Sequence, residues 1–272
     1  MDNFVLVPSD NGVWYGIFPA LAAAGFTHGI SARLGGVSGE PYDSLNLGLH
    51  TADESSKVLE NRRRFAHAVS IDLSRAVAAE QVHGNKVAVV TEEQAGSGAA
   101  IYGDAVPGVD ALVTNCVRLP LMLFFADCVP IIIADPVRRV AAISHAGWQG
   151  TVAGIATRTV EVMAETFQTA PQDCIAAVGP SIGPCCYEVD APVIDKLREF
   201  LPDWETVVTA GARPDRWQLN LWEANRLQLV AAGLQARHIH TAGVCTCCND
   251  RLFFSHRAGR GKTGRLGAVI EL

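Results

Sequence analysis

The sequence is short of aromatic side chains: Phe, Trp and Tyr together make up 7% of its 272 residues. An aromatic-rich sandwich is therefore a poor description of its core, whereas plentiful Ala, Val, Leu and Gly suit closely packed layers of sheet and helix. Basic residues are in the minority as well. Lys and Arg number 22 against 28 Asp and Glu, a formal net charge of −6, which argues against broad electrostatic attraction to nucleic acid or to an anionic membrane. No apolar run reaches the ~18 residues of a membrane-spanning helix. The opening Met1-Asp2-Asn3-Phe4 lacks the positive start and continuous apolar stretch of a secretory signal, so the expected location is the cytoplasm. Solenoid-period repeats and low-complexity linkers are also missing, and the expected organisation is one domain over residues 1–272.

Apolar residues, by contrast, make up 49% of the chain, enough for a sizeable core, and there are eight cysteines. In a chain of this length with no export signal these are expected to be thiols or thiolates in a reducing compartment. They cluster as Cys185-Cys186 and Cys245-Thr246-Cys247-Cys248, and adjacent cysteines bridge each other only with strain. Cys245 and Cys248 have zinc-knuckle spacing, with Cys185 and Cys186 as a conceivable partner pair. The long stretch between the pairs exceeds that of usual zinc ribbons, which favours packing thiols or a thiol near the active cleft.

Periodicity and turn residues outline a mixed α/β chain. Residues 26–33 read as a strand entering the Gly35-Gly36-Val37-Ser38 turn, and residues 54–69 carry apolar side chains at helical spacing. Short strands are expected at 77–81 and 86–90, and buried strands at 111–115 and 119–125. Residues 131–134 and 140–144 flank Asp135-Pro136 and predict a hairpin. A helix over 151–167 presents Val152, Ile155, Ala156, Val160 and Met163 on one face. Further helices are expected at 192–200 and from an Asn220 N-cap to Ala232, with strands at 174–178, 239–244, 252–255 and 266–272.

Within this pattern, Gln81-Val82-His83-Gly84, Ala126-Asp127-Cys128 and Ser144-His145-Ala146-Gly147-Trp148 place two imidazoles and a thiol in punctuated segments. Two neutral nitrogens and a thiolate suit zinc or copper, and three protein ligands leave one position open, as catalytic sites do. Alone, each has an ordinary reading: His83 as a solvated residue of a hairpin turn, Cys128 as a small core residue. As a set they read as ligands. The predicted hairpin brings Cys128 and His145 together, and His145 is expected in a strand-to-helix loop, where the helix start offers unpaired N–H donors. Asp127 is a candidate to orient an imidazole or to accept a proton from water, or it caps a turn.

Anion-binding candidates lie elsewhere. Gly179-Pro180-Ser181-Ile182-Gly183-Pro184 forms a compact loop with free backbone N–H groups. The stretch Ser255-His256-Arg257-Ala258-Gly259-Arg260-Gly261-Lys262 is basic and glycine-rich, so Arg257 could grip phosphate, although a solvated surface loop fits equally well. Arg33, just ahead of Gly35-Gly36, is a further candidate.

Taken together, Ala32-Arg33-Leu34-Gly35-Gly36-Val37-Ser38, Leu45-Asn46-Leu47-Gly48, Asn61-Arg62, Gln81-Val82-His83-Gly84, Asp110-Ala111, Ala126-Asp127-Cys128-Val129-Pro130, His145-Ala146-Gly147-Trp148, Gly183-Pro184-Cys185-Cys186-Tyr187-Glu188-Val189 and Phe253-Phe254-Ser255 resemble the YfiH-like, or laccase-domain, family. The match runs through nearly the whole chain in the family's order. The resemblance implies a single-domain, multilayer α/β/β/α sandwich, related in core to the cysteine-hydrolase domain of cytotoxic necrotizing factor toxins. It implies that His83, Cys128 and His145 bind the family's metal, usually catalytic zinc and in some members copper. The implied activity is phosphorolysis of adenosine, inosine and methylthioadenosine together with adenosine deamination. On that reading the partners are a purine nucleoside and phosphate, Asp127 assists catalysis, Arg33 and Arg257 bind substrate, and the assembly is a monomer without nucleic acid or membrane. The family's other labels are copper-dependent polyphenol oxidase and amidohydrolase editing peptidoglycan precursors. Several coppers would need further ligands, for which only His50, Cys185 and Cys245 stand out, so zinc is expected. Gln149 and His256 depart from the family's common Arg and Tyr, which shifts the expected phosphate contact to Arg33 or the C-terminal basic loop.

Overall fold

Strands that are apolar without alternation need cover on both faces, and the chain provides it by stacking two six-stranded sheets. The computed structural model describes residues 3–272; Met1 and Asp2, which open the segment read above for a secretory signal, lie outside the described residues. With elements numbered along the chain, the first sheet has the order β1 (Val5–Pro8), β2 (Trp14–Ile17), β3 (Thr27–Ser31), β15 (Leu266–Glu271), β7 (Leu121–Phe125) and β4 (Val77–Ala78). The second runs β14 (Ile239–Thr241), β10 (Ile175–Val178), β8 (Val129–Asp135), β9 (Val140–Ala146), β6 (Ala111–Thr114) and β5 (Val87–Val89). A small third sheet joins β11 (Glu188–Asp190), β13 (Arg216–Leu219) and β12 (Val208–Ala210).

Alternate residues of the same strands serve different layers. Ile132, Ala134, Ala141 and Ile143 face the first sheet and meet Leu121, Leu123, Phe125, Ala268 and Ile270. Their neighbours Ile131, Ile133, Val140 and Ala142 pack with α4 (Ile155–Phe167), α5 (Ala191–Phe200) and α6 (Leu221–Ala231). On the far side, Met122, Phe124 and Val269 meet Phe65 and Val69 of α2 (Ser55–Val69). The layers are thus α/β/β/α, as expected. Each such buried Ile or Leu contributes about 1.5–3 kcal/mol, and truncating Ile132 to Ala would cost about 2–5 kcal/mol.

Local chemistry accounts for the element ends. The Asn220 side chain accepts from Glu223 N and caps α6. Pro19 opens the short α1 (Pro19–Ala23), and Ser70 ends α2 in the left-handed region. Several of the phrases that carry the family resemblance are structural. Asn61 accepts from Val37 N and donates to Ser38 Oγ and to the carbonyls of Ser44 and Asn46, knitting the Gly35-Gly36 turn to the Leu45-Asn46 segment. Arg62, fully buried, donates to the carbonyls of Leu47, Gly98 and Ala99.

Four expectations change. The helix foreseen over 151–167 is two, α3 (Trp148–Val152) and α4, because Gly154 at φ 76° interrupts it. Residues 252–255 form turns rather than a strand; Phe253 and Phe254 are apolar because they plug the core between the sheets. The strands flanking His83 do not pair as a hairpin: β4 joins β7 in one sheet and β5 joins β6 in the other. His145 sits inside β9, opposite Pro130, and not in the loop that follows. Among the described residues, no helix is long and apolar enough to cross a membrane.

Candidate metal centre

Two crossings between the sheets deliver His83 and Cys128 to the same place. His83 lies on the crossing from β4 to β5, at φ 62°. The crossing is gripped at both ends. Gln81 extends the edge of β7 with its side chain, donating to Phe124 O at 2.8 Å and accepting from Phe124 N at 2.9 Å. The carboxylate of buried Asp110 accepts from the backbone N–H groups of Val82, His83 and Gly84 at 3.2, 2.9 and 2.7 Å. Cys128 lies on the crossing from β7 to β8, directly after Asp127, whose φ of 82° turns the chain.

His145 comes from β9 in the second sheet, and its Nδ1 is bonded to Asp110 Oδ1 at 2.9 Å. That bond leaves Nε2 for the cleft. The ligand atoms of His83, Cys128 and His145 all lie within 4.8 Å of one another, and the two imidazoles meet edge to face with centroids 4.8 Å apart. Gly147 makes room: a Cβ there would stand 2.9 Å from Cys128 Sγ and 3.3 Å from His83 Cδ2.

The charges of the trio are mutually supporting. Burial alone would raise the Cys128 thiol, but the imidazoles of His145 and His83 outweigh it and hold the thiol well below its ordinary value. Burial alone would lower His145, yet the Cys128 charge and the Asp110 carboxylate push it up. Asp110 follows the same logic: burial opposes ionisation, while His145 and the amides of Gly84 and His83 favour it and win. Two imidazoles and a thiol, with a carboxylate orienting one ring from behind, are a donor set that fits a soft divalent cation, which would displace the proton that His145 otherwise holds.

His83 and Cys128 line two adjoining cavities, and His145 lines the larger of them. The larger, of about 360 Å³, also reaches His50, His256, Arg257 and Arg265. The smaller, of about 290 Å³, reaches Trp148, Gln149 and Leu221. Asp127, Ile182 and Tyr187 line both. Of the other expected site residues, Arg257 is therefore beside the trio, with Nη1 donating to Cys186 O at 2.9 Å and its guanidinium 5.5 Å from the Tyr187 ring centroid. Arg33 is not. Its Nε and Nη1 donate to the carbonyls of Asp43 and Asp250, Nη2 pairs with the Asp43 carboxylate at 3.0 Å, and it stacks on Phe254 beside a separate surface depression. Asp127 hydrogen-bonds neither imidazole; its oxygens accept from Thr246 Oγ1 at 2.6 Å and Arg257 N at 2.7 Å. The carboxylate that bonds an imidazole of the trio is that of Asp110.

Residue patterns alone do not single out Asp110, Tyr187 or Arg265, and they offer His50 only as a spare ligand for a multicopper site. A lone carboxylate directly ahead of the buried run 111–114 was the available signal for Asp110. Arg265 has none, and the place of His50 in the cavity wall is set only by the folded chain. Burial, with positive charge on Arg265 and Arg62, pulls the His50 imidazole down to about 4.

A second group of donors gathers nearby. The ligand atoms of Cys185, Cys186, Cys245 and Cys248 also lie within 4.8 Å of one another, so the intervening length that spoke for mere packing thiols is folded away. Burial and the thiols of Cys248 and Cys245 push Cys185 up to about 11.

Comparison with known proteins completes the description. A 45% identical relative over 247 residues, covering 91% of this chain and 90% of its own, is the purine nucleoside phosphorylase YlmD of Geobacillus stearothermophilus. Adenosine deaminase RL5, from an unknown prokaryotic organism, is 36% identical over 229 residues, 82% of this chain and 87% of its own. The crystal structure of Bacillus licheniformis hypothetical protein YfiH superposes with a TM-score of 0.94 at 39% identity, covering 100% of both chains. Residues 27–272 match the family model described as multi-copper polyphenol oxidoreductase laccase, and the chain belongs to that YfiH-like family.

Proposed function

We propose that the chain is a zinc-dependent purine nucleoside enzyme that phosphorolyses adenosine, inosine and methylthioadenosine and deaminates adenosine. The observation that carries the reading is a His–Cys–His donor set at the junction of two cavities, the larger of them flanked by Arg257 and Arg265. Relatives named as a purine nucleoside phosphorylase and an adenosine deaminase support the same chemistry. His83, Cys128 and His145 hold the metal; when bound, it supplies Lewis-acid polarisation and an acidified water.

The remaining work falls to the chain's own groups. A cavity of about 360 Å³ suits a nucleoside-sized ligand. Arg257 and Arg265 provide the positive charge that phosphate requires, and Gln149, in the other cavity, is not needed for it. Held neutral at physiological pH, His50 hydrogen-bonds a purine ring without adding charge. Asp127 is fixed by one hydrogen bond to each oxygen and accepts the proton lost by an attacking water in deamination. Asp110 keeps His145 in one tautomer and orientation. Release of adenine or hypoxanthine that depends on phosphate, with ammonia from adenosine, is the expected outcome; neither product forming from the zinc-loaded protein overturns the reading.

One other reading draws on a specific observation. Cys128, His145 and Asp110 also form the nucleophile, base and orienter of a thiol hydrolase acting on amides. Amidase activity that survives complete chelation would favour it. A multicopper phenol oxidase has less support, because among the described residues the second donor group is made of thiols alone.

A further inference from the structure

The four clustered cysteines stand apart from the chemistry above and need their own account. They come from two loops: Cys185 and Cys186 follow the Gly183-Pro184 turn, and Cys245 and Cys248 bound a one-turn knuckle in which Asn249 N donates to Cys245 O at 3.1 Å. The Sγ atom of Cys248 lies 3.5 Å from that of Cys185 and 3.4 Å from that of Cys186. A disulfide needs ~2.05 Å between sulfurs. The edge of a tetrahedron with zinc–sulfur bonds of ~2.3 Å is ~3.8 Å, close to these separations. Two backbone amides already point at one sulfur: Gly183 N and Cys248 N donate to Cys245 Sγ at 3.2 and 3.5 Å, an arrangement that favours a thiolate there.

We propose that Cys185, Cys186, Cys245 and Cys248 hold a second, structural zinc ion that clamps the two loops together. An all-thiolate tetrahedral set closes the coordination sphere and leaves no position for substrate, which is the mark of a structural site. Binding releases to solvent the protons of those cysteines that are still thiols, and four thiolates around the dication leave the site a net dianion.

The clamp has a consequence for the cavity wall. The first loop carries Ile182 and Tyr187, and the carbonyl of Cys186 receives Arg257 Nη1. The second loop carries Thr246, whose hydroxyl fixes Asp127. Ser181 and Cys245 are bridged in parallel, so the loops already touch at one point and the ion would fix the rest. The second zinc therefore sets the position of the wall that Tyr187, Asp127 and Arg257 form around the His83, Cys128 and His145 centre, without meeting substrate itself.

The test is metal content and spectrum, neither of which depends on the nucleoside reading. The reduced, zinc-loaded full chain is expected to hold about two zinc ions, and His83→Ala about one. Cobalt substituted into His83→Ala should show the strong thiolate-to-cobalt charge-transfer absorption of an all-sulfur tetrahedral site. Cys186→Ser combined with Cys248→Ser should abolish that absorption and remove one zinc, whereas Cys247→Ser should leave both in place. Should the double variant fail to fold, the His83→Ala protein decides the matter alone, because its cysteine cluster is intact. A His83→Ala chain that binds no zinc, whether its thiols are free or joined as disulfides, overturns the proposal; so does iron in place of zinc at the cluster.

Discussion

Replacing Asp110 by asparagine perturbs the metal centre without removing any ligand. The carboxylate accepts four hydrogen bonds: Oδ1 from His145 Nδ1 and His83 N, and Oδ2 from Val82 N and Gly84 N. An amide turns one of those oxygens into a donor, so two of the four bonds become donor-to-donor contacts whichever way it is oriented. Hydrogen bonds to a charged acceptor are worth about 1.5–3 kcal/mol each, which puts the stability loss at about 3–6 kcal/mol. If the amide faces Val82 and Gly84, His145 stays oriented and the His83 crossing loosens; if it faces His145, the ring loses its partner. Either way the pre-set separation of the ligands is lost, and zinc affinity should fall about 10–100-fold. Competition against a chromogenic chelator measures the affinity, and denaturant unfolding of the metal-free protein measures the stability. An Asp110→Asn protein that binds zinc within about twofold of wild type would refute the assignment of Asp110 as the residue positioning the centre.

Other outcomes follow from the same geometry. Gly147→Ala drives a methyl group to 2.9 Å from Cys128 Sγ and should weaken zinc binding about tenfold with little change in unfolding temperature; unchanged affinity would contradict the crowding. Arg257→Ala and Arg265→Ala should each raise KM for phosphate about tenfold, whereas Arg33→Ala should leave KM unchanged and cost about 1–3 kcal/mol of stability; steady-state kinetics and denaturant unfolding separate the cases. Acid sensitivity should trace chiefly to the two most deeply buried of the histidines that burial holds below their ordinary value, His28 and His50. Burial lowers His28, whose Nε2 accepts from Phe18 N at 2.8 Å, and His50 is lowered to about 4. The unfolded chain then binds more protons, so stability is full above about pH 6.5 and declines as the pH falls below it towards the folded values. Unfolding temperatures across that range check this, and a profile of His28→Leu as steep as wild type would contradict it.

Much of this organisation was readable before folding, and the limits have physical causes. Continuous apolar runs at 119–125 and 131–134 announced strands buried on both faces, because such strands cannot afford a polar side. His83, Cys128 and His145 stood out as soft donors in punctuated segments. Pairing between distant strands was not readable: β4 and β5 flank one short turn yet join different sheets, since each finds its partner from elsewhere in the chain. The role of Asp110 is not legible in its family pattern, because its partners at 82–84 and 145 converge only in three dimensions. Arg33 looked like an anion grip for its glycine-rich surroundings, yet its guanidinium is consumed by Asp43 and Asp250. The convergence of Cys185 and Cys186 with Cys245 and Cys248 is not legible either, because distance along the chain is no measure of distance in space.

The most direct test of the account compares wild type and His83→Ala, both folded and equilibrated with zinc, for phosphate-dependent release of hypoxanthine from inosine. Wild type should release the base only when phosphate is present, and His83→Ala should not release it. Base release by His83→Ala at the wild-type rate, or none from wild type with either inosine or adenosine, would contradict a metal centre at His83, Cys128 and His145 acting on purine nucleosides.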